Sequence, residues 1–245
     1  MKYSFLVLLF IFSLSSLPIS TFAVEKKKDV LKVGVYTIEP FFIFSDSKIT
    51  GGVTYKLLEM IKNESNLNFT YEAYPYPIVL ARLESGDIDL AIFYPSNILK
   101  ENIQALSKTL GNDNIIYSNN KLKAKSIKDL EGHAVAVING ASYSKEFDNN
   151  PKITKKAYTT YKQSISVYSH GRVDAIVLPK VASNYYLNIM KLDKSLFKNS
   201  FILNHKNNWI HVRDGLDAKL VEKIKTANDF ILKKKELKSL YDLYD

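Results

Sequence analysis

An eight-residue pattern occurs twice in this chain and restricts the fold more than any other feature. Segments 86–93 and 171–178 read GDIDLAIF and GRVDAIVL: a glycine, two residues, an aspartate and a run of small and branched apolar residues. Such a run is typical of a strand buried on both faces of a sheet. Each copy follows a segment with helical apolar spacing, 76–85 or 161–170, and the glycine predicts the end of that helix. Because helix, glycine and strand often occur in this order, two copies alone do not establish a repeat.

The repeat extends to the segments that precede each copy. Segment 30–41, VLKVGVYTIEPF, predicts a strand followed by a loop, and segment 132–143, GHAVAVINGASY, has the same plan. Both halves then run through further elements to a helix, a glycine and a buried strand. We therefore predict an α/β chain with two similar lobes. The length of 245 residues and the hydrophobic fraction of 46% allow two lobes of ordinary size.

The first residues predict export. Lys2 is followed by a short apolar run, and Thr21 and Ala23 occupy the small-residue positions of a cleavage site, so we expect a signal peptide over residues 1–23. The alternative is an uncleaved membrane anchor, but the apolar run is shorter than the roughly 20 residues of a spanning helix. The sequence contains no cysteine, which excludes disulfides, thiolate metal sites and a lipid-bearing cysteine. We predict a soluble periplasmic protein.

The charge does not indicate a nucleic-acid partner. The formal net charge is +9, and the excess is almost all lysine, spread over expected loops and helix faces without a nucleic-acid-binding motif. We interpret these lysines as solvated surface. Attraction to an acidic membrane face or partner is the alternative.

The order of the motifs resembles a known family. From LKVGVYTIEPFFIFSDSKITGGVTYKLLEMI through LESGDIDLAIF, SIKDLEGHAVAVINGAS and GRVDAIVL to a lysine-rich helical tail, the chain is similar to the family 3 periplasmic solute-binding proteins of the polar amino-acid type. The resemblance covers nearly all of the mature chain. Each motif is weak alone, whereas their order and spacing together are specific.

The resemblance implies a type II, Venus-flytrap architecture with two mixed sheets and a hinge. Lobe 1 would hold residues 24–117 and 203–245, lobe 2 residues 121–200, and the hinge would lie near 117–121 and 200–205. A small ligand would bind between the lobes, outside the carboxyl ends of the strands. It also implies a monomer that serves the membrane permease of an ABC importer, without a cofactor.

The aromatic residues of the first lobe supply most candidate ligand contacts. The family has a proline pair followed by an aromatic residue that forms a pocket wall, and here Pro40 and Phe41 match while Glu39 replaces the first proline. Tyr36, Phe41 and Phe42 are therefore our wall candidates, with burial in the core as the alternative for any one of them. The candidates for the rim of the cleft directly follow the first buried strand or end it: Phe93, Tyr94 and Ser96.

The second lobe supplies the polar candidates. Segment 139–147, NGASYSKEF, matches the family's glycine and small hydroxyl residue at a helix start. We predict that Gly140 lets the backbone approach a ligand and that the free N–H groups of Ser142 and Tyr143 point at it. A plain helix-capping role is the alternative for Ser142.

Two departures from the family concern the ligand. The carboxylate-binding threonine and arginine of the family fall on Ile98 and on Lys100 or Glu101, and its ammonium-binding aspartate falls on Pro179. We therefore expect weak binding of standard amino acids, and a small, partly apolar or cyclic polar ligand instead. Lys100 is the one candidate to replace the arginine as a point charge.

No catalytic constellation stands out. The four histidines are isolated in the sequence, and we find no paired carboxylates, serine triad or metal motif. We expect no enzyme activity and no metal. Two alternatives stay open: a dehydratase-like enzyme on the same fold, with Glu39 and Asp46 as acid and base, and a periplasmic sensor component that delivers its ligand to a receptor.

Overall fold

The computed structural model describes residues 30–95, 101–234 and 240. This part of the chain forms ten strands, six α-helices and two short 3-10 helices, Lys128–Leu130 and Lys194–Phe197. The strands are β1 (Val30–Tyr36), β2 (Ile43–Ser45), β3 (Lys48–Gly51), β4 (Asn68–Tyr74), β5 (Leu90–Phe93), β6 (Ile103–Ser118), β7 (Ala134–Ile138), β8 (Thr154–Tyr158), β9 (Ala175–Pro179) and β10 (Asn199–Arg213). The helices are α1 (Val53–Ser65), α2 (Tyr76–Ser85), α3 (Lys145–Asp148), α4 (Tyr161–Ser169), α5 (Lys180–Ile189) and α6 (Ala218–Leu232).

Eight strands form one mixed sheet whose order is symmetric about its centre. The order is β4-β1-β5-β10-β6-β9-β7-β8, and β2 and β3 form a separate hairpin. In the first half β1 pairs in parallel with β4 and β5, and in the second half β7 pairs in parallel with β8 and β9. Each half therefore has the same three-strand plan, as the repeat predicted.

Two long antiparallel strands join the halves. β6 and β10 pair with each other from Ile103 against Arg213 to Ser118 against Asn199. β10 also pairs with β5, and β6 also pairs with β9. The sheet thus differs from the predicted two separate sheets, because the crossing strands keep their backbone hydrogen bonds from one half to the other and link both half-sheets in a single ladder.

The repeated glycine ends a helix in each half. Gly86, with φ of 80°, is the left-handed residue that terminates α2. Gly171, with φ of 67°, follows the last residues of α4 in the same way. Left-handed backbone at these positions favours glycine, since a side chain there meets the following carbonyl oxygen.

The repeated aspartate fastens the start of a central strand in each half. Asp89 exchanges two hydrogen bonds with Lys32 of β1: the Lys32 N–H donates to the carboxylate at 2.8 Å, and the Asp89 N–H donates to the Lys32 carbonyl at 2.8 Å. Asp174 makes the same pair with Ala134 of β7, at 3.0 and 2.8 Å. The shared aspartate therefore has a structural role, which explains why it occurs twice.

The two repeated strands are buried on both faces. Every residue of β5 and β9 is buried, as their apolar sequences predicted. One large apolar cluster includes residues from both halves, and a smaller one lies on the opposite face of β7 and β9. α2 packs on the first half-sheet, α4 on the second, and α6 packs against α1. The helices described here include none with the length and apolar character needed to cross a membrane.

Candidate ligand pocket

A cavity lies where the carboxyl ends of β1, β5 and β7 come together. The volume open to the centres of water-sized molecules is about 40 Å³, and the empty space reaches about 530 Å³ only when the solvent-open mouth is included. Both halves of the sheet line it, and no charged side chain is among the described lining residues. They are Tyr36, Ile38, Phe41, Tyr76, Phe93, Tyr94, Asn114, Ile138, Ala141, Ser142, Tyr143, Tyr161 and Asn208.

Most of the sequence-predicted site residues meet at this cavity. Tyr36, Phe41, Phe93, Tyr94, Ser142 and Tyr143 all line it. Phe42 is fully buried and packs edge-on against Tyr36 in the core, with ring centroids 5.0 Å apart, so the alternative that we weighed for the aromatic residues applies to Phe42. Gly140 does not line the cavity. Ser96, Ile98 and Lys100 lie outside the described residues.

Aromatic rings standing at steep angles form the first-half wall. Tyr36 meets Tyr76 at 5.5 Å and 85°, and it meets Phe41 at 6.2 Å and 59°. Tyr76 meets Phe93 at 6.2 Å and 78°. Edge-to-face pairs of this kind add stability beyond the area that they bury. The rings therefore hold one another in place around the cavity.

Two tyrosines that the sequence reasoning did not single out occupy matching positions in the repeat. Tyr76 is the first residue of α2 and Tyr161 is the first residue of α4, and both line the cavity. Each helix starts at the carboxyl end of its half-sheet. The signal was present in the sequence, because the two repeated helical segments both begin with tyrosine.

Burial keeps these tyrosine hydroxyls neutral. It raises the pKa values of Tyr76, Tyr143 and Tyr161 well above the ordinary value. A neutral hydroxyl both donates and accepts a hydrogen bond. The cavity therefore offers aromatic surface and neutral polar groups.

The crossing strands contribute one buried asparagine each. Asn114 of β6 is 1% exposed and Asn208 of β10 is 4% exposed. The Asn114 side-chain N–H donates to Asn204 Oδ1 at 2.8 Å, while its Oδ1 accepts no hydrogen bond within the described part of the chain. An unmatched buried acceptor is costly, so this oxygen is a suitable partner for a ligand donor.

In the loop after β7, the Tyr143 N–H is one of the two backbone donors that the sequence suggested for a ligand, and the structure shows it already bonded. The Tyr143 N–H donates to the Asp148 carboxylate at 2.9 Å, and the Ser142 hydroxyl donates to the same carboxylate at 2.8 Å. The cap of α3 is Ser144, which accepts from the Phe147 N–H, so Ser142 is not the cap. The prediction of a free Tyr143 N–H was wrong, because Asp148 folds back and takes the place expected for a ligand anion.

His211 lies behind the aromatic wall. Its ring stacks on Phe93 with centroids 3.9 Å apart and planes 6° apart, and the residue is fully buried. Burial lowers the pKa of His211 to about 4, and the Trp209 backbone offsets this only in part. Its ring nitrogens make no well-aligned hydrogen bond to a described residue. The described residues also include no group of histidines and carboxylates that could hold a metal ion.

The comparisons with known proteins agree on the architecture. No family model matches the sequence. The "Probable amino-acid-binding protein YxeM" of Bacillus subtilis (strain 168) is 23% identical over 212 residues, covering 84% of this chain and 79% of that one. An ancestral arginine-binding protein bound to arginine superimposes with a TM-score of 0.71 at 21% identity, covering 88% of this chain and 97% of that one.

Two further solved structures have the same architecture. The substrate binding protein of an amino acid ABC transporter gives a TM-score of 0.70 at 17% identity, covering 88% of this chain and 99% of that one. The BvgS VFT2 domain of Bordetella pertussis gives 0.71 at 17% identity, covering 88% and 93%. This chain has the two-lobed fold of the periplasmic binding proteins. The predicted fold and the predicted resemblance are thus confirmed.

The lobes of this binding-protein fold touch beside the pocket. A Cβ atom added to Gly140 of the second half would lie 3.1 Å from Pro77 Cγ at the start of α2 in the first half. The Tyr186 hydroxyl also reaches across to Glu39 Oε2 at 3.4 Å. The close approach at Gly140 is therefore between the lobes, whereas the sequence had suggested an approach to the ligand.

Proposed function

We propose that this chain is an exported solute-binding protein that closes its two lobes on a small ligand and delivers it to the permease of an ABC importer. One observation carries the proposal: residues from both halves line a single pocket at the carboxyl ends of the central strands. Pockets of α/β sheets form at this edge. The names of the relatives support binding as the activity, and the described pocket contains no paired carboxylates or nucleophile-base pair that would favour an enzyme.

We further propose where the lobes meet. Between the β5–β10 and β6–β9 pairings, residues 111–113 of β6 and 205–207 of β10 pair only with each other among the described residues. Register shifts on β10 flank this stretch, between Ile202 and Asn204 and between Asn207 and Trp209. A two-stranded ribbon is the narrowest connection in the sheet, so we place the hinge there. This position lies a few residues before 117–121 on β6 and at or just after 200–205 on β10, the boundaries that the sequence suggested.

The remaining parts of the proposal follow from the sequence. We propose periplasmic location after cleavage behind Ala23, and a monomer in solution. The ligand-binding set is Tyr36, Phe41, Phe93, Tyr94, Ser142 and Tyr143, with Tyr76 and Tyr161 added because they line the same cavity. Although three of the four similar proteins are named for amino acids, we expect α-amino acids to bind weakly here, because no described lining residue offers a charged partner for their carboxylate.

A thermal-shift screen of small metabolites on the mature chain tests the proposed function. A ligand of the folded closed form raises stability by RT ln(1 + [L]/Kd), or about 2.7 kcal/mol at a hundredfold excess over Kd. We expect at least one stabiliser that is recovered unchanged after incubation. Conversion of the stabiliser to a product would favour the enzyme alternative instead.

The matched variants for the screen are Phe41→Ala and Phe44→Ala. Phe41 lines the pocket and Phe44 lies in the nearby hairpin, away from the cavity. Loss of a stacked aromatic wall in Phe41→Ala should lower the affinity for the stabiliser about tenfold, which corresponds to roughly 1.4 kcal/mol of binding free energy. Phe44→Ala should leave the affinity unchanged, and equal weakening by both variants would contradict the assignment of the pocket.

A further inference from the structure

We infer that the pocket prefers an organic cation without a carboxylate, such as a quaternary ammonium compound, whose charged group lies among the aromatic walls and is complemented by Glu39 in the loop that supplies two lining residues. The inference rests on the proposed function and names the ligand class of that same pocket. Three features of the described residues carry it: the arrangement of the rings, the uncharged lining and the unpaired carboxylate of Glu39.

The aromatic walls have the geometry of a box. Tyr36, Tyr76 and Phe93 follow one another with interplanar angles of 85° and 78°, and Phe41 is tilted by 59° from Tyr36. Rings at such angles present faces and edges in several directions around a common space, whereas a parallel stack would leave a flat slot. A cation is attracted to a ring face when it lies within about 6 Å of the ring centroid, and recognition of quaternary ammonium groups by aromatic boxes uses this attraction.

The lining itself does not oppose a positive charge. Among the described residues that line the cavity, none is lysine, arginine or histidine. The nearby Lys206 donates to the Ser142 carbonyl at 2.9 Å, and burial lowers the pKa of its ammonium group while the charge of Asp148 acts in the opposite direction. The polar groups that the tyrosines and Asn114 bring to the lining are neutral.

Glu39 carries a negative charge in the loop that supplies the lining residues Ile38 and Phe41. It lies in the loop between Tyr36 and Phe41, is half-buried, and accepts a hydrogen bond from the Tyr186 hydroxyl at 3.4 Å. The described part of the chain offers it no ion-pair partner. A half-buried carboxylate without a cationic partner contributes negative potential around its loop, and a cationic ligand in the pocket would complement it.

A carboxylate on the ligand would reverse this advantage. It would face the aromatic rings without a described cationic side chain in the lining, and it would lose its hydration on entry. We therefore expect the pocket to discriminate between choline and its carboxylate analogue, glycine betaine. It should also discriminate between choline and 3,3-dimethylbutan-1-ol, the uncharged carbon isostere of nearly the same shape.

Isothermal titration calorimetry on the mature chain tests the inference with these three compounds and with tetramethylammonium. We expect choline or tetramethylammonium to bind at least tenfold more tightly than the isosteric alcohol, and choline to bind more tightly than glycine betaine. Equal binding of the alcohol would show that the box recognises apolar shape alone and would overturn the inference. Tighter binding of glycine betaine would overturn it as well, because it would reveal an anion partner.

Two matched variants separate charge from shape. Glu39→Gln removes the negative charge. It should lower the affinity for choline several-fold and leave the affinity for the alcohol unchanged. Glu72→Gln is the control. Glu72 also accepts a hydrogen bond from a tyrosine hydroxyl, that of Tyr74 at 2.9 Å, but it lies on β4 outside the pocket lining. We expect Glu72→Gln to bind choline like the parent. Equal losses in both variants would contradict the role of Glu39.

The outcomes distinguish this inference from the proposed function. If neither cation binds with Kd below about 1 mM but another metabolite stabilises the protein and is recovered unchanged, the ligand class is wrong and the solute-binding function stands. If no metabolite of the screen stabilises the protein, the proposed function itself fails.

Discussion

Substitutions at Gly140 test whether contact between the lobes is part of ligand binding. Gly140 has φ of 75°, and a Cβ atom there would lie 3.1 Å from Pro77 Cγ, closer than ordinary van der Waals contact. Gly140→Ala therefore has two effects: backbone strain of about 1 to 2 kcal/mol in any conformation of the protein, and crowding only when the lobes touch. Gly140→Val adds two methyl groups at the same contact, which increases the crowding, and its branched side chain also adds backbone strain at this positive φ.

The magnitude follows from the size of the overlap. The backbone strain lowers the free energy of unfolding but does not change the affinity, since it is present with and without ligand. Crowding of a tight contact costs about 1 to 3 kcal/mol, and it should appear as a loss of affinity of roughly five- to 150-fold, with valine at the upper end. Calorimetry with the stabiliser from the metabolite screen measures the affinity, and chemical denaturation measures the stability.

Gly132 provides the matched control. It has φ of 83°, and an added Cβ atom would have no neighbour within 4 Å. Gly132→Ala should therefore lose similar stability and keep full affinity, whereas Pro77→Ala should restore part of the affinity that Gly140→Val loses. Wild-type affinity in Gly140→Val, or an equal loss of affinity in Gly132→Ala, would refute the reasoning.

Three further predictions concern stability and processing. Burial holds the pKa of His211 at about 4 in the folded protein, while the pKa in the unfolded chain is about 6.5. The free energy of unfolding should therefore fall by about 3 kcal/mol as the pH drops from 6.5 to 4, because the buried ring resists protonation. Thermal unfolding across this pH range should show the fall in the parent, and an equally steep fall in His211→Leu would contradict it. Asp174→Ala should cost about 1 to 3 kcal/mol, because it leaves the Ala134 N–H without its acceptor, and denaturation curves that match the parent would argue against the fastening role. Mass spectrometry of the periplasmic protein should find Val24 at its N-terminus, whereas an intact Met1 would disprove cleavage.

The repeated segments allowed the two-lobed fold to be predicted from the sequence. Gly86 and Gly171 end their helices, and β5 and β9 are buried on both faces, as local patterns predicted. The long pairing of β6 with β10 was not predictable in this way. It joins segments about 90 residues apart, as in the bond between Asn114 and Asn204, and the polar, lysine-containing sequences of these strands carry no local signal of their partner.

The sequence predicted those pocket residues that the repeat places at the ends of strands. It did not predict a contact that depends on a side chain folding back onto its own loop. Tyr36 and Phe93 end central strands, so their place at the cavity follows from the topology. Tyr161 could have been found from its counterpart Tyr76. Asp148 could not, because the sequence does not reveal that its carboxylate turns back to accept the Tyr143 N–H. Such reverse contacts depend on the conformation of the whole loop.

Small-angle X-ray scattering of the mature chain, titrated with the stabiliser from the metabolite screen, tests the central claim most directly. The claim is that ligand binding and lobe closure are one event. We expect the radius of gyration to decrease in proportion to occupancy and to saturate at one ligand per chain, with the fluorescence of the single tryptophan, Trp209 on crossing strand β10, changing over the same range. A radius of gyration that stays constant while the ligand saturates the protein would contradict the account.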